Sequence, residues 1–384
     1  MTPRLKRILP WVSAGAVLFA SSAWADITVG ISISATGPAA SLGIPERNTV
    51  AMLPREIAGE KIEYIVLDDA TDSTQASRNA RKFVDENKVD IIIGSSSVPT
   101  TIAIAEVANA SKTPQITLGP ADLPPDREYW VFRAPQHNRV MAEALAEHMA
   151  ANNVKTLGFI GYSDAYGEGW LNEMKKAAEA KGIKMNAIER FNRTDTSVTA
   201  QALKLVSANP DAVLVVASGT PSAMPQVALL DRGYKGQIYQ THGTATKEYI
   251  RVGGKAVEGT ILPMGPVVIA EQLPDDHPSK KVGMEYKQAY EKQHGEGSFS
   301  SFGAHMYDAY LIFAAAVPEA LKKAKPGTPE FRQALRDAIE NNAEVVATHG
   351  VYQMRPNDHW GLDHRARVLA KVENGDWKLL PSGK

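Results

Sequence analysis

The residues best placed to do chemistry stand in one run, VDIIIGSSSVPTTIAIA at 89–105. Residues 89–93 are apolar and β-branched and stop at Gly94, the pattern of a buried parallel strand. Ser95, Ser96 and Ser97 follow. Pro99 suits the first turn of a helix, where its missing N–H costs nothing, and Ile102, Ile104 and Val107 give that helix an apolar face. A strand that passes through hydroxyls into a helix gathers free backbone N–H groups at one point, and such a helix start accepts carboxylate or phosphate. In open α/β sheets, ligands sit at the carboxyl ends of strands. The stretch reads either as one wall of a binding site or as a polar turn capping its own helix.

Signatures of catalysis are missing. There is no G-x-S-x-G, H-E-x-x-H or Walker A sequence, and Gly167-Glu168-Gly169 lacks the third glycine of a dinucleotide loop. With no cysteine there is no disulfide, thiolate nucleophile or Cys-based metal site. The nine histidines are scattered and form no ligand pair. His305, among apolar helix residues, reads as a hydrogen-bonded core histidine; His359 and His364 read as solvated loop residues. Asp68, Asp69 and Asp72 could suggest a metal or acid–base site, but Asp72 and Gln75 have capping-box spacing, and caps and turns are the preferred reading. The expectation is a binding protein with no catalytic residue, no metal and no cofactor.

The elements that must position these residues alternate. Strands are expected at 27–34, 61–67, 89–93 and 114–118, with helices between them, the first starting near Pro45. A second series begins at 156–161 and continues through strands at 184–190, 211–218, 237–240 and 259–264, again separated by helical stretches. After residue 266 three helices (279–294, 302–324 and 329–341) precede short strands at 350–354, 365–372 and 377–380. Strands alternating with helices of this length mean βαβ units and parallel sheets.

The first 25 residues read as a secretory signal peptide. Arg4, Lys6 and Arg7 precede an apolar run at 8–20, and Ala23-Trp24-Ala25 supplies an A-x-A cleavage site. Their loss would take the formal charge from −1 to −4. That mild acidity, without a basic block, gives no footprint for nucleic acid. No later apolar run approaches membrane length. A periplasmic location is expected.

Several ordered segments carry a family resemblance: ITVGISISATGPAASLG at 27–43, VLDDATD at 66–72, IIIGSSS at 91–97, VFRAP at 131–135, SDAYGEG at 163–169 and YDA at 307–309. The chain resembles the periplasmic solute-binding proteins of ABC transporters, in the branched-chain amino-acid (Leu/Ile/Val) group, with an aromatic-acid-binding branch as its nearer relation. The resemblance implies an α/β, type I periplasmic binding protein fold: two doubly wound parallel-sheet lobes, a three-segment hinge and a ligand in the cleft. The N-terminal lobe is expected at 26–135 plus 267–344 and the C-terminal lobe at 136–266 plus 345–384, with crossings at 133–137, 264–267 and near 343–347.

The resemblance also implies ligand contacts. Leu42 falls where the first loop lays an apolar side chain over the ligand. Ser97 and Val98 fall on the serine loop, with Thr100 supplying a hydroxyl and Val98 only its N–H. Pro120 and Ala121 replace an Ala-Thr pair of amino-acid binders. Tyr166 matches a tyrosine that closes on the ligand, Thr220 lies near another contact, and Phe299 matches an aromatic at the rim. The main departure is His242, where amino-acid binders carry an acid for the α-ammonium. A buried ammonium without a carboxylate is costly, whereas histidine can donate to a carboxylate or phenol oxygen.

These residues imply a monomeric receptor delivering a small organic acid, of the benzoate or hydroxycinnamate type, to an ABC permease. A branched-chain or other amino acid is the alternative, with Asp122, Asp164 or Glu168 supplying the carboxylate. A serine hydrolase using Ser95–Ser97 and a periplasmic ligand sensor are the readings from other classes. Intact-mass analysis of periplasmic material is expected to show a chain starting at Asp26; a mass that retains Trp24 would refute the cleavage site.

Overall fold

The structure, a computed structural model, describes residues 27–381, so the signal-peptide expectation at 1–25 lies outside the described residues. Two sheets organise the chain. The first contains β1 (Ile27–Ile33), β2 (Glu56–Ile57), β3 (Glu60–Asp68), β4 (Ile91–Gly94), β5 (Gln115–Thr117) and β6 (Val131–Arg133), in the order β2-β3-β1-β4-β5-β6. All its pairings are parallel except β2 with β3. The connections include α1 (Ala40–Val50), α2 (Ser73–Asp85) and α3 (Val98–Ser111). The first helix begins more than a turn before the expected start, with Pro45 inside it.

The second series runs α4 (Asn138–Ala151), β7 (Thr156–Tyr162), α5 (Ala165–Ala180), β8 (Lys184–Phe191), α6 (Thr199–Ala208), β9 (Ala212–Val216), α7 (Ala223–Asp231), β10 (Gln237–Gln240), α8 (Lys247–Gly253) and β11 (Ile261–Met264). Then come α9 (Pro278–His294), α10 (Ser301–Leu321), α11 (Pro329–Glu340), a hairpin of β12 (Val345–Val346) and β13 (Val351–Tyr352), and finally β14 (Val368–Glu373) and β15 (Asp376–Leu379). The second sheet is ordered β15-β14-β11-β10-β9-β7-β8, antiparallel only where β14 joins β11 and β15. This is the doubly wound, two-lobed fold that the alternation predicts.

Strand periodicity explains the packing of the first lobe. Ile27, Val29, Ile31 and Ile33 point to one face of β1 and pack in one buried cluster with Met306, Phe313 and Val317 of α10. On the other face α2 comes so close that a Cβ on Gly30 would lie 2.6 Å from Cγ of Phe83. The long α10 is apolar around much of its circumference because it is buried between the sheet, α1 and α11.

In each sheet the winding reverses at one gap. In the first, β1 is flanked by β3 on one side and β4 on the other; in the second, β7 is flanked by β8 and β9. The loops after β1 and β4, and after β7 and β9, therefore open crevices at the strand ends, where doubly wound sheets bind ligands.

One buried carboxylate holds the connections between the lobes. Asp308 on α10 accepts N–H bonds from Thr348 (2.8 Å) and His349 (2.9 Å) and faces His349 Nδ1 at 2.9 Å. The Tyr352 hydroxyl lies 3.2 Å from the same carboxylate and also bonds to Ala134 O. His349 in turn packs against Gly265, where a Cβ would come within 2.1 Å of its ring. Tyr352, Met354, Leu362 and Ala366 pack in the first-lobe cluster, and the chain joins the second sheet at Val368. On this packing we propose a third crossing just ahead of Val368, later than the 343–347 expected. Asp308→Ala strips the acceptor from several buried donors and is expected to cost roughly 3 kcal/mol or more in urea unfolding, with Asp308→Asn costing less. A loss for the alanine variant below about 1 kcal/mol would refute the tie.

Candidate ligand-binding site

The two switch points face each other across a small cavity. Its first-lobe wall contains Leu42, Ser96, Ser97, Val98, Leu118 and Pro120. The second lobe supplies Tyr166, Arg193, Ser218, His242 and Gly243, while Pro135, Phe302 and His305 complete it. Six expected residues thus converge: Leu42, Ser97, Val98, Pro120, Tyr166 and His242.

The other four stand apart. Thr100 and Ala121 are buried behind the wall. Thr220 begins a 3-10 turn, Thr220–Ser222, outside the cavity lining. Phe299 lines a separate depression with Trp377, and Lys287 Nζ lies 5.6 Å over its ring.

The serine loop is fixed from behind. Ser95 donates to the buried Asp69, which also accepts from Ser32 (3.0 Å) and Ser34 (2.7 Å). Ser96 bonds to the fully buried Glu46 of α1 and accepts the Ser34 N–H at 2.9 Å. Burial pushes both carboxyls above their ordinary range, although the serine hydroxyls oppose it; for Glu46 the rise is large, and Asp69 adds to it. Thr100 donates to Ser97 O (2.9 Å), so the 2.7 Å contact between the two hydroxyls carries the Ser97 proton. The loop is therefore both a turn tied to its helix and a cavity wall. The geometry of α3 leaves the Val98 and Thr100 N–H groups without intrahelical acceptors. The expected cap and turn roles hold for Asp72, which accepts Gln75 N–H at 2.7 Å, and for Asp68, which accepts the N–H of Ala35 and Ala70; Asp69 instead anchors the serine loop from behind.

Tyr166 presents its ring. Thr241 donates to Ala217 O (3.1 Å), so the 2.8 Å bond between Tyr166 and Thr241 must carry the tyrosine proton. Burial raises the phenol above its ordinary range. Arg193 supplies positive charge: it pairs with Asp164 at 2.6 Å, donates to Ser218 at 3.2 Å and stacks 4.1 Å over Tyr162. Asp164 also caps α5 through the N–H groups of Tyr166 and Gly167. Arg193, Ser218, Phe302 and His305 were missed in the sequence. Arg193 lies just past the end of β8, so the strand-end rule could have found it; Phe302 and His305 carry no such mark.

Among the described residues, no carboxylate lines the cavity. Asp122 pairs with His137 (3.1 Å), Asp164 with Arg193 and Glu168 with Arg190. His242 is buried against Trp170, ring centroids 5.6 Å apart, with Nδ1 unpartnered. Desolvation, aided by His349, pulls its imidazole down to about 3. His305 is buried as expected but not hydrogen-bonded: neither ring nitrogen has a partner, and the ring stacks on His349 at 3.8 Å. His359 is also not a solvated residue. It is buried, stacks on Phe132 at 4.3 Å and bonds to Glu340, because the 351–366 segment folds back on the first lobe.

The lobes meet beside the cavity at Gly219, whose φ of 62° and ψ of −153° suit only glycine. A Cβ there would lie 2.1 Å from Ser41 Oγ and 2.9 Å from Leu42 Cδ1 of α1. Gly219→Val is expected to hold the lobes apart and weaken ligand binding by about tenfold or more. Small-angle scattering should show a larger radius of gyration at ligand saturation than for wild type; unchanged affinity and radius would count against this contact as a closure point.

Comparison with known proteins agrees with this architecture. The family described as "Periplasmic binding protein" matches residues 26–376. A Leu/Ile/Val-binding protein homolog 1 of Brucella suis is 28% identical over 273 residues, covering 66% of this chain and 70% of that protein. An extracellular ligand-binding receptor from Rhodopseudomonas palustris HaA2 superposes with a TM-score of 0.92 at 49% identity, over 93% of this chain and all of that one. A solute-binding protein of an ABC transporter from Rhodopseudomonas palustris BisB5, in complex with 3,4-dihydroxy benzoic acid, has the same fold at 20% identity and a TM-score of 0.76, over 91% of this chain and 94% of that one. The chain belongs to the periplasmic binding protein family.

Proposed function

We propose that this protein is the periplasmic receptor of an ABC importer for a small aromatic acid of the benzoate or hydroxycinnamate type, and that it binds without catalysing a reaction. The observation that carries the reading is the charge of the cavity: one guanidinium, Arg193, and no carboxylate among the lining residues. An α-amino acid brings an ammonium that would be buried without a counter-charge, at a cost of several kcal/mol. A simple carboxylate meets the opposite situation. Arg193 is held in place by Asp164 and Ser218, and charge-assisted hydrogen bonds to a guanidinium are among the stronger ones available. The N–H groups at the start of α3 offer a second set of donors.

The rest of the wall suits a ring. Leu42 and Phe302 pack together in a small apolar cluster, and Val98, Leu118, Pro120 and Tyr166 add apolar surface. The solute-binding protein from Rhodopseudomonas palustris BisB5, of the same fold, is in complex with 3,4-dihydroxy benzoic acid, which supports an aromatic acid as the class to test. The hydrolase reading finds no support in the serines, whose hydroxyls go to Asp69, Glu46 and Thr100 and not to a histidine. The role includes export by the signal peptide, action as a monomer and docking to a permease.

Titration calorimetry tests the ligand class. Wild type is expected to bind benzoate or hydroxycinnamate acids and to ignore leucine and valine. Arg193→Gln should weaken the acids by about ten- to a hundredfold, the worth of a hydrogen bond to a charged group. Tight binding of leucine or valine with no response to aromatic acids would reject the ligand class and leave the receptor fold standing.

A further inference from the structure

The cavity contains a second polar group of residues that the carboxylate does not use. His242 and His305 both line it, only 6% and 4% exposed. His242 Nδ1 and both ring nitrogens of His305 lack any hydrogen-bond partner. Their surroundings offer no replacement. Trp170 stands beside His242, Phe302 beside His305 at 6.2 Å, and His349 covers one face of His305. His349 is engaged on one side only: its Nδ1 faces Asp308 at 2.9 Å and Thr348 Oγ1 at 3.1 Å, while its buried Nε2 has no partner either. Burial holds both cavity histidines neutral, assisted by the neighbouring imidazoles.

Neutrality decides what they can bind. Each neutral imidazole carries one N–H donor and one bare acceptor nitrogen. A carboxylate can satisfy only the donors and leaves the acceptors stripped of water. A methyl or hydrogen satisfies neither. A hydroxyl both donates and accepts, so one such group can take an N–H from one histidine and give its proton to the bare nitrogen of the other. Buried polar groups left unpaired penalise the wrong ligand more than extra contacts reward the right one.

We infer that His242 and His305 are the specificity-determining residues of this receptor, and that they select acids bearing a neutral hydroxyl at the end remote from the carboxylate. The inference rests on the aromatic-acid reading, with the carboxylate held by Arg193 and the start of α3. His242 had a functional mark in the sequence; His305 acquires its role only because α10 brings it to the same cavity.

Calorimetry on the full mature chain with four matched ligands tests this: 4-hydroxybenzoate, 4-methylbenzoate, 4-methoxybenzoate and 4-carboxybenzoate. The hydroxy acid should bind at least about tenfold more tightly than each of the others, because the methyl matches only its shape, the methoxy group only accepts and the second carboxylate cannot donate. His305→Leu should erase that preference, and His305→Gln, which restores a donor and an acceptor, should recover part of it. Equal affinities for the hydroxy and methyl acids in wild type would overturn the histidine assignment and leave the aromatic-acid reading intact. Tighter binding of 4-carboxybenzoate than of 4-hydroxybenzoate would overturn it as well. If none of the four binds while leucine does, the aromatic-acid reading falls and the assignment falls with it. The ligand comparison is made on wild type, so the outcome does not depend on either variant folding.

Discussion

The structure depends on a single buried carboxylate at the junction of its lobes. Asp308 has no solvent exposure, yet it gathers two backbone N–H groups, an imidazole nitrogen and a phenol hydroxyl from the turn and hairpin that follow α11. A buried carboxyl costs free energy unless it is hydrogen-bonded, and the two N–H groups supply those bonds. What the donors receive in return is a fixed position. Thr348 and His349 are held beside Gly265, and Tyr352 is held beside Ala134, so the segments that leave each lobe are packed into one knot.

The same principle operates at the ligand loop on a smaller scale. Asp69 and Glu46 lie under the serine loop, and burial favours their neutral forms. Their bonds go to hydroxyls and backbone N–H groups rather than to cations. This fixes the wall without placing an opposing charge behind it. Arg193 is the exception in the cavity, and its partner Asp164 sits at the start of α5, where the helix N–H groups share its charge. The cavity therefore meets a ligand with one oriented cation, one helix start and a row of neutral groups. Discrimination follows from what such a set leaves unpaired.

The sequence was informative where a residue's type restricts its location. The β-branched run ending at Gly94, the alternation of strands and helices, and the aspartate caps all depend on short-range rules, and each reappears in the structure within a few residues. Six of the ten expected site residues line the cavity: Ser97 and Val98 follow from the rule that ligands sit at strand ends, whereas Leu42, Pro120, Tyr166 and His242 were placed by the family resemblance. Leu42 and Phe302 meet in the wall although they lie far apart in the chain, a pairing that no local pattern specifies. His305 and His359 show the opposite limit. One looked like a satisfied core residue and is buried but unsatisfied, and the other looked solvated and is buried, because a histidine's role depends on neighbours from distant segments.

What the sequence determined by itself was the class of object: an α/β chain in two successive series of βαβ units, with a polar loop at a strand end and no recognised catalytic motif. Those conclusions follow from hydrophobic period, helix caps and residue chemistry, all of which act over a few positions. Tertiary structure alone decided which polar groups were already spent and which remained free. It committed the three serines to Asp69, Glu46 and Thr100, spent the Tyr166 proton on Thr241, and left His242 and His305 unpaired in the cavity. A hydrogen bond between residues far apart in sequence exists only once the chain has folded, so the chemistry left over for a ligand is a property of the whole fold.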